Sequence, residues 1–206
     1  MTSVRFPGES DEYRAARQQL LNAEAALRQH TEDVAIQRRS LPLGGALKED
    51  YLFETMDGDA VRVSELFRPG KDTLVVYNYM YGPSMKSPCV MCTSILDGLD
   101  GQVQHITQRV NLAVVAKSPA ARIRDVQRGR GWRYLPLLSS AGNTYNADYF
   151  GENEKGAQLP MLNVCSRSAT AASTTRMGRN CCTHRIPPAW IHATSIRSGR
   201  CGTCST

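Results

Sequence analysis

The sequence predicts an α/β protein, a parallel-centred sheet flanked by helices and preceded by an N-terminal helical extension. Three observations carry this. Two segments, TLVVYNYM (73–80) and VNLAVVAK (110–117), are short, apolar and rich in β-branched or aromatic residues, as befits strands buried on both faces. Each is followed by a stretch of helical periodicity, so strand and helix alternate. Ahead of them lies a long polar segment with a single apolar stripe.

That stripe comprises Tyr13, Ala16, Leu20, Ala23, Leu27 and Val34, with Glu, Arg and Gln opposite, and predicts a helix from Ser10 to about Arg39. His30 reads as solvated on its polar face, and Thr31 as the opening of a second segment. SLPLGG (40–45) stops the helix, because Pro and Gly continue one poorly. Residues 51–67 (YLFETMDGDAVRVSELF) read as two short strands around a turn at Asp57-Gly58, then a helical turn. After the strand at 73–80, Ile95, Leu96, Leu99, Val103 and Ile106 mark a helix that begins near Cys89. Ser118-Pro119 caps and opens the helix that follows the second buried strand and runs to about Arg128. YLPLLSS (134–140) predicts a third strand and QLPMLNV (158–164) a fourth.

The net charge of +6 misleads. Residues 1–164 hold 19 of the 25 Lys+Arg and all 19 Asp+Glu, so they are neutral; the remaining six cations are arginines within 165–206. A neutral body offers no electrostatic footprint for nucleic acid or a membrane surface, and neither is expected as a partner. No leader pattern and no apolar run of membrane-spanning length is visible, so the expected compartment is the cytosol. There thiols stay reduced, and a cysteine pair is more often redox-active or metal-binding than structural.

Cys89-Val90-Met91-Cys92 stands where the first buried strand hands over to a helix. Free N–H groups and the dipole at a helix N-terminus favour a thiolate, which points to Cys89 as the nucleophile, with Lys86 as a further cation nearby. Cys92, one turn on, is placed to close a disulfide by attacking a mixed disulfide. Strand, C-x-x-C and helix inside a βαβ pattern is the thioredoxin-like redox signal. The alternative is a pair of buried core cysteines. Zinc is disfavoured, since only His105 is near enough in sequence to add a ligand. No cofactor is implied. Thioredoxin-like proteins place a cis-proline before the strand that faces the cysteine pair, and Pro160 occupies that place, so a cis bond is expected there. RGRGWR (128–133) is a weaker candidate for gripping an anion, and SSAGNTYNADYF (139–150) for lining a substrate mouth.

AEAALRQHTEDVAIQRRSLPLGG, EDYLFE, PCVMCTSILDGLDG, VNLAVVAKSP, RGWRYLPLLSSAGNTYNADY and PMLNV together resemble the bacterial thioredoxin-like family known as domain of unknown function 899. The resemblance covers about residues 10–164. It implies a thioredoxin-like fold with an N-terminal helical extension (1–45) before the domain proper (46–164). It also implies dithiol–disulfide oxidoreductase chemistry at Cys89 and Cys92, with Pro160 shaping the groove for a protein or small-molecule thiol or disulfide. The approach ELFRPGKDTLVVYNYMYGPSMKSPC is also similar to that of a peroxiredoxin cysteine, but its Pro83, Ser87 and Cys89 are one residue short of the peroxiredoxin spacing. A thiol peroxidase and a non-enzymatic thioredoxin-like interaction module therefore stand as alternatives.

The end of the chain reads differently. Cys181, Cys182, His184, His192, Cys201 and Cys204 look like zinc ligands, yet residues 165–206 contain no Asp, Glu or Lys. Members of the resembled family continue after this point with a β-hairpin and an aromatic-rich segment. One shifted frame of a synonymous back-translation of the tail spells such a segment, AELLYTPHPAG and then MDPRHIDPIWPLWNLFD. Residues 165–206 are therefore expected to be an out-of-frame, disordered tail without a metal. The C-terminal hairpin and helix would then be missing, and activity would be compromised.

Overall fold

A computed structural model of the protein describes residues 6–42 and 44–167, and the backbone of 179–184. The chain divides into two compact units, Met1–Pro42 and Leu43–Thr206.

The first unit is one helix, α1 (Asp11–Arg39). Ser10 caps it, its hydroxyl oxygen accepting from the Tyr13 amide at 3.1 Å. Asp11 and Glu12 in the first turn and Arg38 and Arg39 in the last complement the helix dipole. Thr31 opens no second segment. Its hydroxyl donates to the Leu27 carbonyl at 2.9 Å within a continuous helix, satisfying itself on the preceding turn. None of the 29 residues is buried.

The second unit is built on a seven-stranded sheet: β1 (Leu52–Thr55), β2 (Ala60–Arg62), β3 (Thr73–Asn78), β4 (Asn111–Ala116), β5 (Leu137–Ser139), β6 (Met161–Arg167) and β7 (Arg179–His184). Their order is β2-β1-β5-β4-β3-β6-β7. β3, β4 and β5 run parallel; β6 is antiparallel to β3, β7 to β6, and β1 to β5. α2 (Val90–Asp100) and the short α3 (Val103–Ile106) connect β3 to β4, α4 (Ala120–Arg130) connects β4 to β5, and α5 (Tyr145–Asp148) precedes β6. A β-α-β crossover beside an antiparallel hairpin, in the order β4-β3-β6-β7, is the thioredoxin-like arrangement. Strands β1, β2 and β5 widen it on the β4 side.

Alternation along the central strands explains their apolar run. Leu74 and Val76 of β3 and Ala113 and Val115 of β4 enter one cluster with Tyr51, Phe53 and Tyr145. Tyr77 and Tyr79, with Val114 and Ala116, enter the other, where α2 and α4 contribute Cys92, Leu96 and Ile123.

Two expectations need correction. Pro119, not Ser118, is the N-cap of α4. Ser118 is fully buried and donates its hydroxyl to the Gly82 carbonyl at 3.1 Å, because the loop after β3 competes for it. The hairpin expected to be missing is present: β6 runs past Val164 to Arg167, and 179–184 pair with it antiparallel, Cys165 opposite Cys181. Strand pairing uses main-chain groups, so an open edge beside β6 accepts a segment such as RNCCTH, which has no Pro or Gly to break it. The rest of the expected tail, including Cys201, Cys204 and His192, lies outside the described residues.

Candidate thiol site

Cys89 is the N-cap residue of α2, with φ −59° and ψ 125°. Its amide donates to the Met80 carbonyl at 3.0 Å, and its carbonyl accepts from both the amide and the hydroxyl of Thr93, each at 2.9 Å. The Thr93 hydroxyl also lies 2.8 Å from that of Tyr79. The backbone of Cys89 is thus held from both sides, and its side chain makes no cap bond. The first turn of α2 carries no acidic residue to oppose the dipole.

Both sulfurs are free thiols, Cys89 half-buried and Cys92 only 3% exposed. Burial pushes the Cys92 thiol above its ordinary range, and the neighbouring Cys89 pushes the same way. Hydrogen bonds from the Tyr77 hydroxyl and the Met80 backbone pull against them. Burial likewise raises Tyr77, reinforced by Cys92, and pushes Tyr79 up to about 12. Two neutral phenols and a protonated thiol therefore stand behind the half-buried cysteine. Lys86 is exposed.

The loop from β3 to Cys89 is held by α4. Arg122 donates to the Pro83 carbonyl at 2.9 Å and to that of Met85, and its guanidinium stacks 4.5 Å over the Tyr81 ring. A Cβ on Gly82 would meet Gln158 Cγ at 3.0 Å, so the segment before β6 abuts the loop before the cysteines. Sequence reasoning missed Arg122 and Gly82 and gave Ser118 a capping role instead of its bond to the Gly82 carbonyl; only the Gly-Pro dipeptide hinted at the tight loop.

Pro160 lies one residue beyond the Asn78–Met161 pair of the β3–β6 ladder, at the end of the sheet from which that loop departs. Its peptide bond is not cis, against expectation. The approach is set by hydrogen bonds: Asn78 donates to the carbonyls of Leu159 (2.7 Å) and Gly151 (3.0 Å), and the Leu159 amide donates to Gly151 at 2.8 Å. With these met, the ordinary trans preference of X–Pro prevails.

The two weaker motifs turn out to be structural. Arg130 pairs with Asp97, which also accepts from the Trp132 indole at 2.8 Å, so RGRGWR does not offer this guanidinium to an anion. In SSAGNTYNADYF, Ser140 donates to Asn146 at 2.5 Å and Asn146 to Asn78 at 2.8 Å, all three buried. The polar composition of that stretch satisfies an interior network. Among the described residues, no three His, Cys, Asp or Glu gather as a metal site, and no helix is long and apolar enough to cross a membrane.

Residues 3–183 match the family model described as bacterial protein of unknown function, DUF899. The chain belongs to that family. The match continues past Val164 and takes in β7 up to Thr183, and it lends the shifted-frame reading of that stretch no support. A comparison with curated proteins finds no significant match. Among solved structures, a peroxiredoxin-like protein from Aquifex aeolicus is similar at 13% identity and a TM-score of 0.49, over 71% of this chain and 77% of that one. The pneumococcal exposed lipoprotein thioredoxin of Streptococcus pneumoniae is similar at 15% identity and 0.45, over 66% and 88%. A secreted disulfide oxidoreductase of Mycobacterium tuberculosis is similar at 16% identity and 0.40, over 61% and 81%.

Proposed function

We propose that this member of the family is a thiol–disulfide oxidoreductase in which Cys89 attacks and Cys92 resolves. The observation that carries the reading is the asymmetry of the pair: a half-buried sulfur at an N-cap, and a buried one a turn further on. The Cys89 thiolate attacks a substrate disulfide, forming Cys89–S–S–R and releasing the other half as a thiolate, which takes up a proton. Cys92 then loses its proton and attacks the Cys89 sulfur, releasing R–S⁻. The substrate gains two electrons and the chain ends as the Cys89–Cys92 disulfide, which an external dithiol returns to the reduced form. Tyr77 acts as a positioning residue, packed in the same cluster as Cys92 and pulling its thiol down against the effect of burial.

Disulfide reduction with insulin and dithiothreitol tests this. Cys89→Ser should abolish exchange, and Cys92→Ser should accumulate a mixed disulfide visible by mass spectrometry. Full activity in Cys89→Ser would overturn the reading. A peroxidase with Pro83, Ser87 and Cys89 in its approach would instead consume hydrogen peroxide rapidly in the Cys92→Ser variant.

A further inference from the structure

The stripe on α1 has a stricter period than an amphipathic helix needs. Tyr13, Leu20, Leu27 and Val34 recur every seven residues, and Phe6 and Leu41 continue the spacing just outside the helix. All six are exposed, Leu20 by 59% and Leu27 by 65%. An apolar residue at every seventh position, kept over four heptads, marks one of the two seam positions of a two-stranded coiled coil, and Ala16 and Ala23 extend it to a 3.5-residue repeat in the first two heptads. A helix that buries none of its residues lacks the packing that ordinarily supports one in water.

With these residues at position a, position d holds Ala16, Ala23, His30 and Gln37. Position g holds Glu12, Gln19, Ala26 and Asp33, and position e holds Arg17, Glu24, Thr31 and Arg38. In a parallel pair each g residue faces the e residue five positions on in the partner. Glu12 then faces Arg17 and Asp33 faces Arg38, opposite charges at both ends of the helix. An antiparallel pairing forfeits both. Within the single chain Arg17 lies 3.9 Å from Glu9 and stacks on Phe6, and Asp33 accepts from Gln29 at 3.0 Å. The Gln29–Asp33 contact is exposed and can be exchanged for an intermolecular one at little loss. The Glu9 side chain is only 1% exposed, so giving up its pair with Arg17 costs more, and of the two intermolecular pairs the Asp33–Arg38 one forms more readily.

We propose that α1 is a dimerisation helix, pairing in parallel and in register with α1 of a second copy of this chain. Two-fold symmetry makes each contact occur twice, so the e–g complementarity yields four ion pairs. Small or polar residues at every d position make the dimer weak, while His30 and Gln37 disfavour slipped registers.

Sedimentation velocity of the full chain under reductant, over a concentration series, tests this. A monomer–dimer equilibrium is expected, and Leu20→Glu with Leu27→Glu should leave monomer alone. Glu12→Arg with Asp33→Arg should weaken the dimer at least several-fold, and adding Arg17→Glu and Arg38→Glu should restore it. Ala16→Cys should cross-link two copies on oxidation, because only the parallel register brings residue 16 to its own counterpart. Monomer at every concentration, or a dimer indifferent to the leucine and charge substitutions, would overturn the proposal. So would a monomer whose melting temperature falls with Leu20→Glu and Leu27→Glu, since the stripe would then cover the chain's own surface.

Discussion

The two faces of β3 do different work with the same alternation. On one, Leu74 and Val76 meet Phe53, Tyr51 and Tyr145 in an apolar cluster. On the other, Tyr77 and Tyr79 bring hydroxyls to the first turn of α2, where Cys92 and Thr93 meet them. The first face contributes stability through area removed from water, whereas the second also has polar groups whose protonation burial controls. A strand buried on both sides can thus divide structure from chemistry one residue at a time.

The comparison breaks most sharply at Leu74. Leu74→Ala, at a fully buried site, should lower unfolding free energy by about 3 kcal/mol in urea titration. The relative alkylation rates of Cys89 and Cys92 should not change. If thiol reactivity moves as much as stability does, the two faces are not separable.

Arg122→Ala should come next. It frees the carbonyls of Pro83 and Met85 and uncovers Tyr81, so about 1–2 kcal/mol of stability should be lost. Exchange by Cys89 should slow as well, because the loop before it loosens. Unchanged exchange kinetics would show that the loop does not need α4.

Tyr77→Phe should cost about 1 kcal/mol or less. Its signature is elsewhere. Removing a hydrogen bond that lowers the Cys92 thiol moves resolution of the mixed disulfide to higher pH, measured by stopped-flow release of a chromogenic thiol. A parallel drop at all pH values would mean Tyr77 is only a packing residue.

The smallest effect is on stability against pH. Burial holds the proton on Cys92 more tightly in the folded chain than in the unfolded one. Its contribution is therefore complete below the unfolded thiol value, about 8.5, and is lost as pH rises above that. Wild type should lose stability from pH 8 to 10 faster than Cys92→Ala. Equal slopes would place the titration elsewhere.

Much of this was legible beforehand. Ser10 and the stripe behind it define α1, two apolar runs define β3 and β4, and a C-x-x-C at a strand–helix junction marks the thiol pair, because period, caps and spacing are local properties of a chain. What surrounds the pair is not local. Arg122 reaches the loop across about 40 positions, Asn78 and Asn146 meet across almost 70, and Gln158 leaves little room for a Cβ at position 82 only because two loops abut. The same holds for the trans bond at Pro160, decided by carbonyls that Asn78 binds, and for β7, which forms because β6 presents an open edge. The order of residues along the chain determined that it buries a sheet and carries two thiols at a helix start. The tertiary structure decided that one thiol is half-exposed and the other enclosed by phenols, since burial and hydrogen bonding depend on which distant segments arrive at the same place.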